Sequence, residues 1–340
     1  MIVVMRSGAN EVQIARVSER LQQLGFGVHL SRGVERTVIG AIGDKSALNP
    51  VDLEAMAAME GVERVVPIRQ PFKLVSREFH QEPTIVDLGG VAVGGDAVVV
   101  MAGPCSVESY DQLLATARGV QAAGARVLRG GAFKPRTSPY GFRGLGEEGL
   151  RVLAAVREET GMPIITEVMR PDQVELVSSY ADCLQIGTRN MQNFELLREA
   201  AQSKRPVMLK RGMAALVQEW LMAAEYLLAG GNYQVILCER GIRTFETATR
   251  FTMDLNAVPL AKELSHLPVI VDPSHGTGKA SLVPALARAG IAVGADGLII
   301  EAHPNPAESF SDAAQTIALD GFAAMMDEVR AVARAVGRTA

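Results

Sequence analysis

Residues 97–105, AVVVMAGPC, are a short apolar run that ends in a potential metal ligand. Seven similar runs follow, each reaching a charged or ligating residue: ARVLRGG (125–131), MPIITE (162–167), CLQIGTR (183–189), RPVMLK (205–210), YQVILCER (233–240), LPVIVDPSH (267–275) and DGLIIE (296–301). Helical stretches such as residues 109–124 separate the runs. Continuous Val/Ile/Leu runs between helices are typical of parallel strands that are buried on both faces. Eight such units predict an α/β fold, a (β/α)8 barrel, whose active site lies at the C-terminal ends of the strands.

Length and composition narrow the class of protein. The 340 residues accommodate a barrel of roughly 250 residues and one smaller domain. A net charge of −4 argues against a nucleic-acid surface or a polybasic membrane patch. No apolar run approaches the ~20 residues that cross a bilayer, and three cysteines provide no disulfide framework. The N-terminus lacks the layout of a signal peptide, so we expect a cytoplasmic enzyme.

The first 70 residues follow a different pattern from the rest. The segments are strand-like at residues 2–5, 27–30, 37–42 and 62–67, and helical at residues 11–24 and 51–59. The order βαββαβ predicts a ferredoxin-like domain over residues 1–70, with a regulatory or assembly role because it contains no catalytic cluster. Residues 71–96 are predicted to be a linker with a hairpin that caps the barrel, and residues 97–340 the catalytic barrel.

Four potential metal ligands follow strand ends of the predicted barrel. They are Cys105, His275, Glu301 and Asp312. Because the first, seventh and eighth strands of a closed barrel are neighbours, these side chains can meet although they are far apart in sequence. One thiol, one imidazole and two carboxylates suit Mn²⁺, Fe²⁺, Co²⁺ or Zn²⁺ better than Mg²⁺. A lone buried cysteine is usually only a small hydrophobic residue, but four ligand types at one barrel end indicate a divalent metal site.

A cluster of cations also falls at or just after the strand ends. Its members are Arg129, Lys134, Arg136, Arg189, Lys210, Arg211, Arg240 and Arg243. Loops often carry such residues as solvated charge, but here they gather at one end of an acidic chain. Arginine forks match phosphate and carboxylate oxygens, so the cluster predicts anionic substrates. Glu167 and Asp272, also at strand ends, are interpreted first as ion-pair partners of these arginines.

The chain resembles the 3-deoxy-D-arabino-heptulosonate 7-phosphate (DAHP) synthases of type I-beta in seven segments: AGPCSVES, VLRGGAFKPRTSPYGFRGLGEEGL, QIGTRNMQN, LKRGM, ILCERGIRTFE, DPSHGTGK and IIEAHP. The resemblance implies a transferase that joins phosphoenolpyruvate to erythrose 4-phosphate in the first step of the shikimate pathway. It implies the same four metal ligands, with Lys134, Cys105 and His275 in the catalytic centre.

The resemblance also assigns substrate and effector contacts. The implied phosphoenolpyruvate contacts are Arg129, Lys134, Lys210, Arg189 and Arg240, the last two at its phosphate. The implied erythrose 4-phosphate contacts are Arg136 and Thr137. The N-terminal domain resembles a regulatory domain, which implies an aromatic amino acid effector, tyrosine or phenylalanine, near His29 and Ser31. An ordinary polar strand end explains those two residues equally well. The family also implies a homotetramer.

Three alternative functions remain open at this point. A 3-deoxy-D-manno-octulosonate 8-phosphate synthase would share the barrel, but it usually lacks both the KPRT pattern of residues 134–137 and the N-terminal domain. A Schiff-base aldolase would use Lys210 as its nucleophile, activated by the neighbouring Arg211, and would leave the metal ligands without a purpose. An amino acid sensor without activity would leave the basic cluster unexplained.

Overall fold

The structure is a computed structural model that describes residues 1–33, 36–43, 50–66, 71–135 and 140–340. The chain divides into two compact units. One unit consists of Met1–Glu82 with Leu264–His266, and the other of Pro83–Glu263 with Leu267–Ala340. None of the described helices has the length and apolar character required to span a membrane.

The N-terminal unit has the predicted βαββαβ order. Its elements are β1 (Ile2–Met5), α1 (Glu11–Gln23), β2 (Gly27–Arg32), β3 (Thr37–Ile42), α2 (Pro50–Ala57) and β4 (Val62–Val66). The strands form an antiparallel sheet in the order β2-β3-β1-β4. This arrangement confirms the ferredoxin-like fold. The last residue of the predicted fourth strand, at position 67, lies outside the described residues.

Local sequence explains why α1 forms. Asn10 caps the helix, because its side chain accepts a hydrogen bond from the backbone N–H of Gln13 while the Gln13 side chain accepts one from the backbone N–H of Asn10. Ile14, Val17 and Leu21 recur on one helix face and are buried. They join a single apolar cluster with strand residues of the same unit, so helix and sheet share one small core.

The larger unit begins with a two-stranded hairpin, β5 (Val86–Leu88) and β6 (Val91–Val93). Gly89 and Gly90 form the turn, both with positive φ, as the Gly-Gly sequence predicts. The valine and leucine side chains at the two ends of each hairpin strand are buried in one cluster with side chains from the barrel strands. The hairpin therefore contributes to the core of this unit.

Eight parallel strands then form a closed barrel. They are β7 (Val99–Gly103), β8 (Val127–Arg129), β9 (Ile164–Val168), β10 (Cys183–Ile186), β11 (Val207–Lys210), β12 (Val235–Glu239), β13 (Val269–Val271) and β14 (Gly297–His303). Each strand pairs with the next in sequence, and β14 pairs with both β13 and β7. The closed (β/α)8 barrel confirms the predicted fold class.

Helices connect the strands. They are α3 (Tyr110–Ala122), α4 (Glu147–Thr160), α5 (Val174–Tyr180), α6 (Phe194–Gln202), α7 (Val217–Ala229), α8 (Ala257–Leu264), α9 (Pro273–Thr277) and α10 (Val283–Ala292). A short strand, β15 (Ile317–Ala318), pairs with β14 and leads into the last helix, α11 (Leu319–Ala335). Because all eight barrel strands run in the same direction, the loops after them lie at one end of the barrel, and the candidate site lies there.

Candidate active site

The ends of β7 and β14 bring three potential metal ligands together. Cys105 lies two residues after β7, Glu301 lies within β14, and Asp312 lies in the loop that follows β14. One ligand atom of each residue lies within 4.8 Å of the other two. The Cys105 thiol donates a hydrogen bond to Asp312 Oδ2 at 3.3 Å. These three residues form a possible metal site.

His275, the fourth predicted ligand, lies at the edge of this group. It is in α9, with its Nε2 atom 3.6 Å from Glu301 Oε1 and its Nδ1 atom 2.8 Å from Asp272 Oδ2. Burial lowers the pKa of His275 although two carboxylates oppose this shift. The imidazole is therefore neutral near pH 7, which is the form that binds metals.

The charge states in this group differ sharply. Burial, reinforced by the charge of Glu301, raises the pKa of the Cys105 thiol to about 12. Burial alone would raise the pKa of Glu301 as well, but the positive charge of His275 when it is protonated in acid, together with the charges of Arg129 and Lys134, outweighs burial and holds that pKa at about 2. At neutral pH the carboxylate is ionised and the thiol protonated. A cation that binds the sulfur must therefore displace a proton.

Two of the predicted substrate cations contact the possible metal ligands. Arg129, the last residue of β8, donates a hydrogen bond to Glu301 Oε1 at 2.8 Å. Lys134 Nζ donates to Cys105 O at 2.9 Å and to Cys105 Sγ at 3.0 Å. Gly131 makes room for this lysine, since a Cβ atom there would lie 2.7 Å from Lys134 Cδ. The packing of Lys134 therefore explains why the second glycine of the RGG sequence has no side chain.

Lys210 ends β11 and forms a buried ion pair with Asp272. Asp272 Oδ2 is the acceptor, and the same oxygen lies beside His275 Nδ1. Burial would raise the pKa of Asp272, but the positive charge of His275 when it is protonated in acid, together with the charge of Lys210, holds that pKa well below its usual value. Asp272 therefore orients a lysine and a histidine, whereas the sequence suggested an arginine as its ion-pair partner.

Two other cations of the predicted cluster are differently engaged. The Arg211 Nη1 atom lies 2.8 Å from Glu239 Oε2 and 2.8 Å from Asp254 Oδ2, so two carboxylates neutralise it. Arg243 is exposed, and its Nη2 atom lies 3.7 Å from Met213 Sδ. Arg211 therefore acts as a structural ion-pair partner, and Arg243 lies at the surface.

Arg240 differs from the other buried cations. Its guanidinium carbon lies 3.8 Å from the centre of the Phe251 ring, and the residue is only 3% exposed. Nη1 donates to Gly241 O at 3.3 Å, while Nε has no hydrogen-bond partner among the described residues. Burial lowers the pKa of Arg240 to about 10, so it remains a cation at neutral pH. A buried cation without a carboxylate partner is suited to hold an anion.

A cavity of about 200 Å³ is lined by several of these groups, but Cys105, Arg129 and Glu301 are not in its described lining. Its lining includes Lys134, Pro135, Glu167, Gln185, Gly187, Thr188, Arg189, Lys210, Met213, Arg240, Arg250, Phe251, His275 and Asp312. Arg189 is exposed at the rim, and Gln185 Nε2 donates to Glu167 Oε2 at 3.4 Å. Arg136 and Thr137, the predicted erythrose 4-phosphate contacts, lie outside the described residues.

Sequence reasoning missed two residues that connect to the possible metal ligands. Gln315 Nε2 donates to Glu301 Oε2 at 2.6 Å, and Gln315 Oε1 accepts from Arg250 Nη1 at 2.8 Å. Arg250 Nη1 also lies 3.3 Å from Asp312 Oδ1. Neither residue ends a predicted strand, so the strand-end pattern gave no signal for them.

The predicted effector residues lie in the N-terminal unit. His29 and Ser31 are both half-buried in β2. The His29 ring packs edge-on against Phe79, with ring centres 5.9 Å apart. Ser31 lines a cavity of about 580 Å³ that Arg64, Phe79 and other residues of this unit also line. His29 is not in the described lining of that cavity. Of the two predicted effector residues, the cavity therefore contacts Ser31, together with Phe79, which packs against His29.

Comparisons with known proteins agree with this geometry. The model of the DAHP synthetase I family matches residues 73–335, and the model of the DAHP synthase ferredoxin-like domain matches residues 1–70. The phospho-2-dehydro-3-deoxyheptonate aldolase of Thermotoga maritima is 47% identical over 337 residues, which are 99% of this chain and 99% of that protein. Its crystal structure superposes with a TM-score of 0.79 at 46% identity, covering 99% of this chain and 98% of that one.

The chain is also similar to a second enzyme class. The 2-dehydro-3-deoxyphosphooctonate aldolase of Nitratidesulfovibrio vulgaris is 32% identical over 251 residues, which cover 68% of this chain and 91% of that protein. The family matches cover both units of the chain and confirm the resemblance of its motifs. The chain therefore belongs to the DAHP synthetase I family of enzymes and carries the ferredoxin-like domain of DAHP synthases at its N-terminus.

Proposed function

We propose that the chain condenses phosphoenolpyruvate with D-erythrose 4-phosphate and water, giving DAHP and phosphate in a metal-dependent reaction. Arg240 is the observation that carries the proposal. It is buried at the cavity without an ion-pair partner among the described residues, and its Nε is unsatisfied. The phosphate of phosphoenolpyruvate would supply the missing acceptor.

The possible metal site supports the metal dependence. Cys105, Glu301 and Asp312 would hold a divalent ion, with the neutral His275 beside them as fourth ligand. A thiolate with nitrogen and oxygen donors fits Mn²⁺, Fe²⁺, Co²⁺ or Zn²⁺. Two carboxylates that lie together below the surface also need positive charge nearby. When bound, the ion supplies Lewis acidity for the aldehyde carbonyl of erythrose 4-phosphate.

The side chains of the cavity perform the remaining tasks. Arg240 and Arg189 hold the phosphate of phosphoenolpyruvate, and Arg129 and Lys210 neutralise its carboxylate. C3 of phosphoenolpyruvate forms the new bond to the aldehyde carbon, water adds at C2, and the C–O bond to phosphate then breaks. Lys134 Nζ, 3.0 Å from Cys105 Sγ, is suited to hold a proton close to the aldehyde oxygen. Arg136 and Thr137 bind the phosphate end of the sugar.

The direct experiment measures phosphate release with both substrates, with and without a chelator. We expect release only when both substrates and metal are present. Turnover of arabinose 5-phosphate in preference to erythrose 4-phosphate would instead favour a 2-dehydro-3-deoxyphosphooctonate aldolase, whose match covers 68% of this chain. Activity that survives the chelator, with borohydride trapping at Lys210, would favour a Schiff-base aldolase.

The N-terminal unit is proposed to bind an aromatic amino acid, tyrosine or phenylalanine, that inhibits the reaction. The cavity beside Ser31 and Phe79 supports this role, because Phe79 offers an aromatic face and Arg64 a cation for a carboxylate. Replacing Ser31 or His29 by alanine in the full chain should relieve inhibition and leave the uninhibited rate unchanged. Unaltered inhibition in both variants would exclude these two residues as effector contacts.

Association into a homotetramer is part of the same proposal. Phe245 and Leu216 of the barrel unit are 98% and 65% exposed in the single chain. Large exposed apolar side chains are often covered by another subunit. Light scattering of the purified chain should give four times the 36.3 kDa mass of one chain, and a monomeric mass would exclude the tetramer.

A further inference from the structure

Glu108 lies between β7 and α3, on the loop that also carries Cys105. Its side chain is only 8% exposed. It does not belong to the described lining of the substrate cavity. Its carboxylate instead faces the loop after β14, which ends in Asp312. A buried carboxylate that does not face the cavity needs a structural explanation.

The Glu108 carboxylate accepts three hydrogen bonds, two from that loop and one from His303, the last residue of β14. Oε1 accepts from the backbone N–H of Phe310 at 2.8 Å and from Ser309 Oγ at 3.4 Å. Oε2 is 3.3 Å from His303 Nε2. Both carboxylate oxygens are therefore used, and every partner lies within ten residues of Asp312.

The tautomer of His303 follows from the contacts of its two ring nitrogens. Its Nδ1 atom accepts a hydrogen bond from the backbone N–H of Asn305 at 3.0 Å, so Nδ1 carries no proton. The proton of the neutral ring is then on Nε2, which donates to Glu108. The start and the end of the loop are thus both held by one carboxylate.

The end of this loop requires such support. Asp312 has a φ of +53°, a left-handed conformation that a residue with a side chain rarely adopts. The loop before it has only a short 3-10 helix, Pro306–Glu308, and much of it is exposed. A further hydrogen bond between the same two loops, between Ser106 Oγ and Ser311 Oγ at 2.8 Å, lies next to Asp312. Polar contacts between the two loops therefore fix this ligand.

We propose that Glu108 is a positioning residue for the metal site: it fixes the loop after β14 so that Asp312 stays beside Cys105 and Glu301. The proposal rests on the metal site of the proposed function. Glu108 touches neither the substrate cavity nor the ligand atoms, so it acts through Asp312. Partners that orient metal ligands typically contribute about 10- to 100-fold to metal affinity.

The test measures Co²⁺ affinity of the full chain from the thiolate–cobalt absorption band, which does not depend on turnover. We expect Glu108→Ala and Glu108→Gln each to weaken binding about 10- to 100-fold. Glutamine cannot replace the carboxylate, because its NH₂ group would face either the His303 or the Phe310 donor and cannot accept a hydrogen bond from it. The matched control is Glu159→Gln, which removes a carboxylate that accepts from Tyr110 at the surface and should leave the affinity unchanged.

A double-mutant cycle with Asp312→Ala separates positioning from general damage. If Glu108 acts through Asp312, adding Glu108→Ala to Asp312→Ala should weaken Co²⁺ binding by less than about twofold more. Wild-type affinity in both Glu108 variants, or fully additive losses in the cycle, would overturn the inference while the metal site stands. A wild-type chain without a cobalt–thiolate band would overturn the metal site itself and this inference with it.

Discussion

Arg129 Nη1 donates to Glu301 Oε1 at 2.8 Å, with both side chains buried. In the proposed reaction Arg129 contacts phosphoenolpyruvate and Glu301 binds the metal. In that proposal one guanidinium would connect the bound anion with the metal ligands. Lys134 makes the same connection through Cys105. The two halves of the site share their cations, so a change in one half should be measurable in the other.

Replacing Arg129 by methionine should destabilise the protein. The change leaves the buried Glu301 carboxylate with fewer positive neighbours, and breaking a buried ion pair typically costs about 3–5 kcal/mol. The free energy of unfolding, measured with urea, should fall by an amount of that order. Arg288→Met, which breaks the half-exposed pair with Glu328, is the control and should cause a much smaller loss. Equal losses in the two variants would contradict a special role for the Arg129–Glu301 pair.

Replacing Arg240 by methionine should have opposite effects on stability and on binding. Methionine of similar length can pack on Phe251 without an unsatisfied buried Nε. The melting temperature without substrate should therefore stay equal or rise. Affinity for phosphoenolpyruvate, measured by calorimetry, should fall at least about tenfold, because a charged hydrogen bond contributes about 1.5–3 kcal/mol. A variant that binds phosphoenolpyruvate normally would remove Arg240 from the substrate pocket.

Gln315 has only one chemically sensible amide orientation. Its NH₂ group faces the Glu301 carboxylate and its oxygen faces Arg250. Gln315→Glu would place a second carboxylate oxygen against Glu301, so the pair would have to take up a proton or move apart. We expect Co²⁺ affinity to weaken about 10-fold or more, whereas Gln202→Glu on the exposed end of α6 should have no effect. Unchanged affinity in Gln315→Glu would show that this amide does not orient Glu301.

The buried His266 predicts a pH dependence of stability. Burial, as the main cause, lowers its pKa to about 4, while an unfolded histidine titrates near 6.5. Below about pH 6.5 the unfolded chain therefore binds a proton that the folded chain does not, and stability falls until about pH 4. The loss over this window is about 3 kcal/mol, at roughly 1.36 kcal/mol per pH unit.

His266→Gln isolates this contribution, because glutamine keeps a donor for Leu74 O, which lies 2.7 Å from His266 Nε2. Urea unfolding of both proteins at several pH values between neutrality and the folded-state pKa is the measurement. The wild type should lose more stability than the variant as the pH falls. Parallel pH profiles would mean that His266 takes up a proton in the folded state as easily as in the unfolded one.

The strand pattern was enough to predict the fold because buried parallel strands are nearly pure apolar runs. Each of the eight runs overlaps one barrel strand, and the residues that end strands, such as Arg129 and Lys210, lie at the predicted end of the barrel. Helix ends were less accurate. The second helix of the N-terminal unit is Pro50–Ala57 rather than residues 51–59, since fraying at helix ends leaves little trace in periodicity.

The site was only partly accessible from sequence. Cys105, Glu301 and Asp312 come together as predicted from barrel closure, but His275 lies beside them instead of among them. Periodicity and strand order determine which loops meet, whereas the orientation of a side chain depends on its particular partners. Gln315 and Glu108 are such partners in loops without regular structure, so no spacing rule could identify them.

The most direct test of the central claim is phosphate release by Cys105→Ala compared with Cys238→Ala. Both cysteines are fully buried, but only Cys105 lies with Glu301 and Asp312. We predict that phosphate release from phosphoenolpyruvate and erythrose 4-phosphate is abolished in Cys105→Ala and stays close to wild type in Cys238→Ala, with both variants folded by circular dichroism. Normal release by folded Cys105→Ala would contradict a metal-dependent condensation at this site.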